Sequence, residues 1–160
     1  MVELSIESNG RIEKTAVYIN GEQIGGIKEL MVHISEDGDF NSVIVYEGTD
    51  TVIRTKNLFG EYLDNLRTVE PTFSEEEAQY LNLLTIQSEG MLESTFVLLN
   101  DMEQEGITEL LLHIRRGDAP QGSLWSRIRG QVPSADGATF RAEITYREAN
   151  GTLSTENVFR

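Results

Sequence analysis

The 160-residue sequence predicts an all-β fold made of two copies of one unit, and three observations carry that expectation. The first is an internal repeat. Leu4–Ile34 aligns without gaps on Leu84–Ile114 at an offset of 80, with 14 identities in 31 positions. Phe40–Phe59 then aligns on Phe140–Phe159 at an offset of 100, with 6 identities in 20. The second is the kind of residue kept. Leu4/Leu84, Ile6/Ile86, Val17/Val97, Ile27/Ile107, Leu30/Leu110 and Ile34/Ile114 are apolar, whereas Gly10/Gly90, Asn20/Asn100 and Gly26/Gly106 are turn formers. The third is the close spacing of turn signals between short runs rich in β-branched and aromatic residues.

Taken in order, Leu4–Ile6 is a short alternating run closed by Ser8-Asn9-Gly10. Ile12–Ile19 reads as a strand and ends at Asn20-Gly21, the strongest short hairpin signal. Ile27–Ile34 follows, bounded by Ser35-Glu36-Asp37-Gly38, and Val43–Tyr46 and Val52–Thr55 form a hairpin around Glu47-Gly48-Thr49-Asp50. That makes five strands per repeat. Ile27, Leu30, Met31 and Ile34, and equally Ile107, Leu110, Leu111 and Ile114, also fit the helical spacing, so the alternative class is α+β. The Val-His-Ile ending and the adjacent hairpin favour strand.

Residues 1–59 form the first repeat, 60–80 a linker and 81–160 the second repeat, with an insertion at 115–139. In the linker, Ser74-Glu75-Glu76-Glu77 has capping-box spacing and predicts a short helix over 75–83. A repeat of under 60 residues has little core of its own, so one compact domain with pseudo-two-fold symmetry is expected.

Composition narrows the function classes. The net charge of −14 disfavours direct binding to a nucleic-acid backbone. No run approaches the roughly 18 apolar residues of a membrane span, and Met1–Arg11 lacks a signal peptide's basic start and apolar run. A cytoplasmic or virion-associated location is therefore expected, without membrane contact. The absence of Cys removes disulfides and Cys-ligated metals.

No catalytic template is present, so no catalytic residue is assigned and the chain is expected not to be an enzyme. There is no Gly-x-Ser-x-Gly elbow, and Gly21–Gly26 lacks the Lys-Ser/Thr of a phosphate loop. Asp37-Gly38-Asp39 lacks the Glu that completes a calcium loop. The two histidines, His33 and His113, are equivalent, and each follows a Glu by four, Glu29 and Glu109. That spacing puts Glu and His on one side of either element type. Joined across a dyad, the four side chains would make a zinc-like donor set. The plainer reading is an inherited surface stripe, and no cofactor is expected.

The insertion is distinctive. Four arginines, Arg115, Arg116, Arg127 and Arg129, outnumber two aspartates, for a net +2 that leaves −16 on the rest of the chain. It also carries Trp125, the only Trp. Long loops often carry function, and Arg and Trp are enriched where proteins bind one another. An interaction loop centred on Arg115, Arg116, Trp125, Arg127 and Arg129 stands beside a second reading, in which Trp125 folds back as a lid. The Arg116-Gly117-Asp118 tripeptide is too short to carry weight.

The rhythm V-Y-I-N-G-x-x-I-x-G-I-K-E-L, spanning Val17–Leu30 and followed by a second hairpin up to Tyr46, resembles small acidic accessory proteins of tailed-bacteriophage virions. The resemblance implies a β-rich, duplicated structural protein and transfers no residue roles. The leading expectation is thus a non-enzymatic structural or interaction protein, a virion decoration or tail-associated component, with a protein partner or a second copy as its target. The alternatives are an acidic mimic of nucleic acid that inhibits a DNA-binding enzyme, and a small-ligand binder at the cleft between repeats.

Overall fold

The computed structural model describes residues 1–117 and 138–159. The expected all-β class is observed. The first half contains β1 (Val2–Ser8), β2 (Thr15–Ile19), β3 (Glu22–Gly25), β4 (Ile27–Ser35), β5 (Phe40–Glu47) and β6 (Ile53–Asn57). The linker contributes β7 (Arg67–Thr68) and helix α1 (Glu75–Ala78). The second half contains β8 (Asn82–Ser88), β9 (Phe96–Leu99), β10 (Met102–Glu103), β11 (Ile107–Arg115), β12 (Thr139–Arg147) and β13 (Leu153–Asn157). The expected five strands per half become six. The extra strand, β3 or β10, is the return arm of the Asn-led hairpin, too short to show an alternating pattern. Asn20 and Gly21 both take positive φ (51° and 86°), as the tight two-residue turn requires.

All pairing is antiparallel, in two sheets. One has the order β10-β9-β8-β1-β2-β3-β7, the other β13-β12-β11-β4-β5-β6. Both are continuous across the two halves. β1 pairs with β8, placing Ser5 opposite its equivalent Thr85, and β4 pairs with β11, placing Val32 opposite its equivalent Leu112. A two-fold relation between the halves therefore passes through these two pairs. One cluster of buried side chains fills the space between the sheets. Leu4, Ile6, Leu84 and Ile86 come from one side, and Leu30, Val32, Ile44, Leu110, Leu112 and Ile144 from the other.

The helix-like spacing in β4 has a structural cause. A bulge between Ile27 and Glu29 shifts the phase of the strand, so that Ile27 and Leu30 both face the core. Met31 then faces the opposite side, where it packs on Leu111 and Val43. β11 carries the same bulge between Ile107 and Glu109. Core-facing residues whose phase is shifted by a bulge, with buried Met31 on the other face, give a run that mimics helical periodicity.

The linker is shorter in helix than expected and tighter in its attachment. Ser74 accepts from the Glu77 amide and the Glu77 carboxylate accepts from the Ser74 amide, yet α1 stops at Ala78 instead of running to 83. The chain is committed to β8 from Asn82, and a strand cannot share those residues with a helix. Before α1 the linker lies on the first half. The Tyr46 hydroxyl donates to the Asp64 carbonyl at 2.8 Å, and the Arg54 guanidinium bridges Asp50 (2.6 Å) and Asp64 (2.9 Å). The hydrogen bonds from Arg54 hold the Asp50 carboxyl well below the usual carboxylate range. Asp64 is also lowered, first by a backbone hydrogen bond and then by Lys56 and Arg54. These depressed carboxyls stabilise the attachment above their ordinary values, and the effect is lost as pH falls through their lowered ones. Amide exchange at 61–66, corrected for its intrinsic pH dependence, should accelerate below about pH 4, while that of β4 should not. Uniform change across both segments would show that the carboxylates do not hold the linker.

Gly26 follows β3 at φ +77°, and a Cβ there would come within 2.6 Å of the Glu47 carbonyl oxygen. Its equivalent Gly106 has φ +75°, with 3.5 Å to the Arg147 oxygen. Gly106→Ala should cost about 1–2 kcal/mol for the left-handed backbone alone. Gly26→Ala should cost more, because backbone must also move, and urea unfolding midpoints would read the order.

Candidate functional site

Two regions gather the residues that chemistry singles out: the outer face of the β4/β11 pair, and the grooves at the two ends of the sandwich.

On the outer face, β4 presents Glu29, Met31, His33 and Ser35 against Arg115, His113, Leu111 and Glu109 of β11, in that register. His33 Nε2 lies 2.6 Å from Glu109 Oε2, and His113 Nε2 lies 2.7 Å from Glu29 Oε2. Each imidazole thus meets the carboxylate of the other half, not the Glu four residues before it. Both contacts follow the same diagonal of the ladder, as does the Met31–Leu111 contact between them. In a right-twisted sheet one diagonal is consistently the closer. His33 and His113 lie on the opposite diagonal. The zinc-like donor set weighed from the sequence is therefore not assembled, and among the described residues no group of three or more His, Asp or Glu is placed to hold a metal.

The surface-stripe reading of these four residues also needs correction. The Glu29 side chain is only 4% exposed and His113 is 3%, so this pair is buried in the molecule. Glu109, at 41%, opens onto a polar cleft of about 530 Å³ with His33, Glu36, Asp37 and Asp39 on its walls. Arg115 is likewise not part of a loop. It is the last residue of β11, buried, and opposite Glu29. Arg116 is exposed beyond it, its amide donating to the Lys28 carbonyl at 2.9 Å. Trp125, Arg127 and Arg129 lie outside the described residues, as does most of the insertion.

The end grooves are equivalent by position yet different in content. In the first half, Val17, Gln23, Gly25, Ile27, Leu30 and Thr72 line a small recess of about 130 Å³. The linker closes it. β7 pairs with the outer edge of β3, matching Ile24 with Thr68 and Gly25 with Arg67. The Val69 amide donates to the Gln23 carbonyl at 2.9 Å. The Gln23 side chain then holds Thr72 at both ends, Nε2 donating to Oγ1 (2.6 Å) and Oε1 accepting from the amide (2.8 Å).

In the second half the corresponding groove, about 300 Å³, is lined by Leu92, Phe96, Val97, Glu103, Ile107 and Leu110. β10 ends the sheet, and no described strand pairs with its free edge. Phe96, 44% exposed, stands where buried Ala16 stands in the first half, and Met102, 68% exposed, stands where Glu22 does. Burial raises the Tyr46 hydroxyl above its ordinary pKa and raises that of Tyr146. Tyr146, however, donates to Gln104 Oε1 at 3.0 Å, where Tyr46 uses the linker. Sequence reading passed over Phe96, Met102 and Glu103. The available signal was the set of positions at which the repeats disagree, apolar in one and polar or small in the other.

Losing a buried hydrogen-bond partner costs about 1–3 kcal/mol, against about 0–1 kcal/mol for a solvent-open pair. Glu29→Ala should therefore lower unfolding stability by about 2 kcal/mol or more, and Glu109→Ala by about 1 kcal/mol or less. Equal losses in chemical denaturation would mean that the two pairs are equally solvated. No family model, curated protein or solved structure matches this chain.

Proposed function

We propose that this protein is a non-enzymatic interaction protein, a rigid acidic β-sandwich that presents the open groove of its second half to a protein partner. The observation that carries this reading is the contrast between equivalent grooves. One is closed by the linker, and the other leaves Phe96, Met102 and a strand edge that no described strand covers. Exposed apolar side chains beside an open edge are what association surfaces offer and what isolated sandwiches cover. The histidines and their carboxylates support the same reading, since each pair joins one half to the other. A structural component of a larger assembly, such as the virion accessory proteins that Val17–Tyr46 resembles, is the setting in which such a scaffold would serve.

The nucleic-acid mimic fits less well, because several carboxylates have local cations. Glu36 meets Arg147 at 2.6 Å, Glu47 meets Arg67 at 3.2 Å, and Asp50 and Asp64 meet Arg54.

A photo-reactive phenylalanine analogue placed at position 96 should capture a protein partner or a second copy in the source cell, whereas the same group at exposed Tyr80 should not. The double variant Phe96→Lys, Met102→Lys should lose the association while its Tm stays within about 2 °C, as for surface changes generally. Equal capture at both positions, or none at 96, would remove the reading.

A further inference from the structure

The occupied groove is a template for what the open one binds. We propose that the second half takes an extended peptide segment of a partner protein by strand addition along 103–105, at the open edge where β10 ends, and that this segment is basic, with a Ser or Thr opposite Glu103 and a Gly or Ala passing Glu105. The proposal rests on the interaction reading above and specifies the partner's chemistry.

Strand addition follows from the first half, where an extended stretch of the linker supplies the main-chain hydrogen bonds to β3 and one anchoring side chain, Thr72. Main-chain pairing of this kind gives affinity to any extended chain, and side-chain pockets give selectivity. Three replacements between the halves then set the preference. Glu103 stands at the place of Gln23. Gln23 both donates to the Thr72 hydroxyl and accepts from its amide, whereas a carboxylate only accepts. The incoming residue must therefore donate both its hydroxyl and its amide, and the charged acceptor strengthens both bonds.

Glu105 stands at the place of Gly25. A Cβ at Gly25 would come within 2.9 Å of Val69 Cγ1, so the linker's valine packs directly on the glycine and would have to shift over any larger residue. Over Glu105 the passing residue has to be small. Glu36 stands at the place of Arg116, which lines the first groove. The replacement at 36 removes a cation from the rim, although Arg147 holds Glu36 at 2.6 Å, and Glu103 and Glu105 add carboxylates beside it, so the edge disfavours a segment with the linker's Glu70. Phe96 and Leu92 complete the apolar floor.

The experiment uses the full 160-residue chain, labelled with ¹⁵N, and synthetic ten-residue peptides spanning 64–73. One peptide keeps the linker sequence, and the second carries Val69→Gly and Glu70→Lys. The second should shift the amides of Phe96 and of 102–106, and it should bind about tenfold more tightly than the first. Adding Thr72→Val to the second peptide should weaken it by about fivefold or more. A third peptide carries Glu70→Lys alone and so keeps Val69. It should bind more weakly than the second, and Glu105→Gly in the protein should bring the two to within about threefold of each other. Several results would overturn the proposal. They are shifts confined to the first-half groove, no shifts at low ionic strength, and equal affinities that Glu105→Gly leaves unchanged. Concentration-dependent dimerisation with protection of β10, without any peptide, would instead make a second copy the occupant. Capture at position 96 without peptide preference would leave the interaction reading intact and remove only this proposal.

Discussion

The two sheets run unbroken across the halves of the chain, and this continuity governs everything else. β1 pairs with β8 and β4 with β11, so the central ladder of each layer joins one half to the other. Leu4, Ile6, Leu30, Leu84, Ile86 and Leu110, all fully buried, line these central strands. A unit of this length has little interior of its own. Joined at their central strands, the two share one core and leave their hairpins at the periphery.

That arrangement explains the fate of the histidines. His33 and Glu29 lie on one face of β4, as do His113 and Glu109 on β11. The twist of the shared ladder then couples His33 to Glu109 and His113 to Glu29. Residues that look like a ligand set become two ties between the halves. The halves also exchange backbone contacts, with the carbonyl of Phe159 lying closely over Gly10 and that of Phe59 over Gly90. Once such ties are made, symmetry has little freedom left to break except at the ends.

It breaks there. In the first half, residues 64–72 cover Tyr46, pair with β3 and seat Thr72 on Gln23. Nothing described takes that place in the second half, and the residues around the open groove have diverged accordingly. Ala16 corresponds to Phe96, Gln23 to Glu103 and Gly25 to Glu105. Divergence at this groove, beside core and turn positions that the halves share, is why that groove carries the functional reading.

Much of the fold is legible in the residues themselves. The Asn20-Gly21 and Asn100-Asp101 turns and the Ser74 capping box depend on neighbours in sequence, and each forms where local chemistry puts it. The all-β class follows from them. What depends on distant partners was not legible. The helix-like pattern of Ile27–Ile34 is resolved by a bulge and by burial on both faces, and Arg115, placed by composition in a loop, is strand because its pairing with Thr139 and Glu29 continues to the end of β11. The coupling of His to Glu across halves and the contrast between a filled and an open groove are likewise decided by tertiary structure. Sequence alone determined the hairpin turns, the capping box and most of the strands, because those preferences are local. Only the packing of two units around one dyad decided which polar groups are buried, which pair, and which edge remains open, because each of these depends on what lies opposite in space.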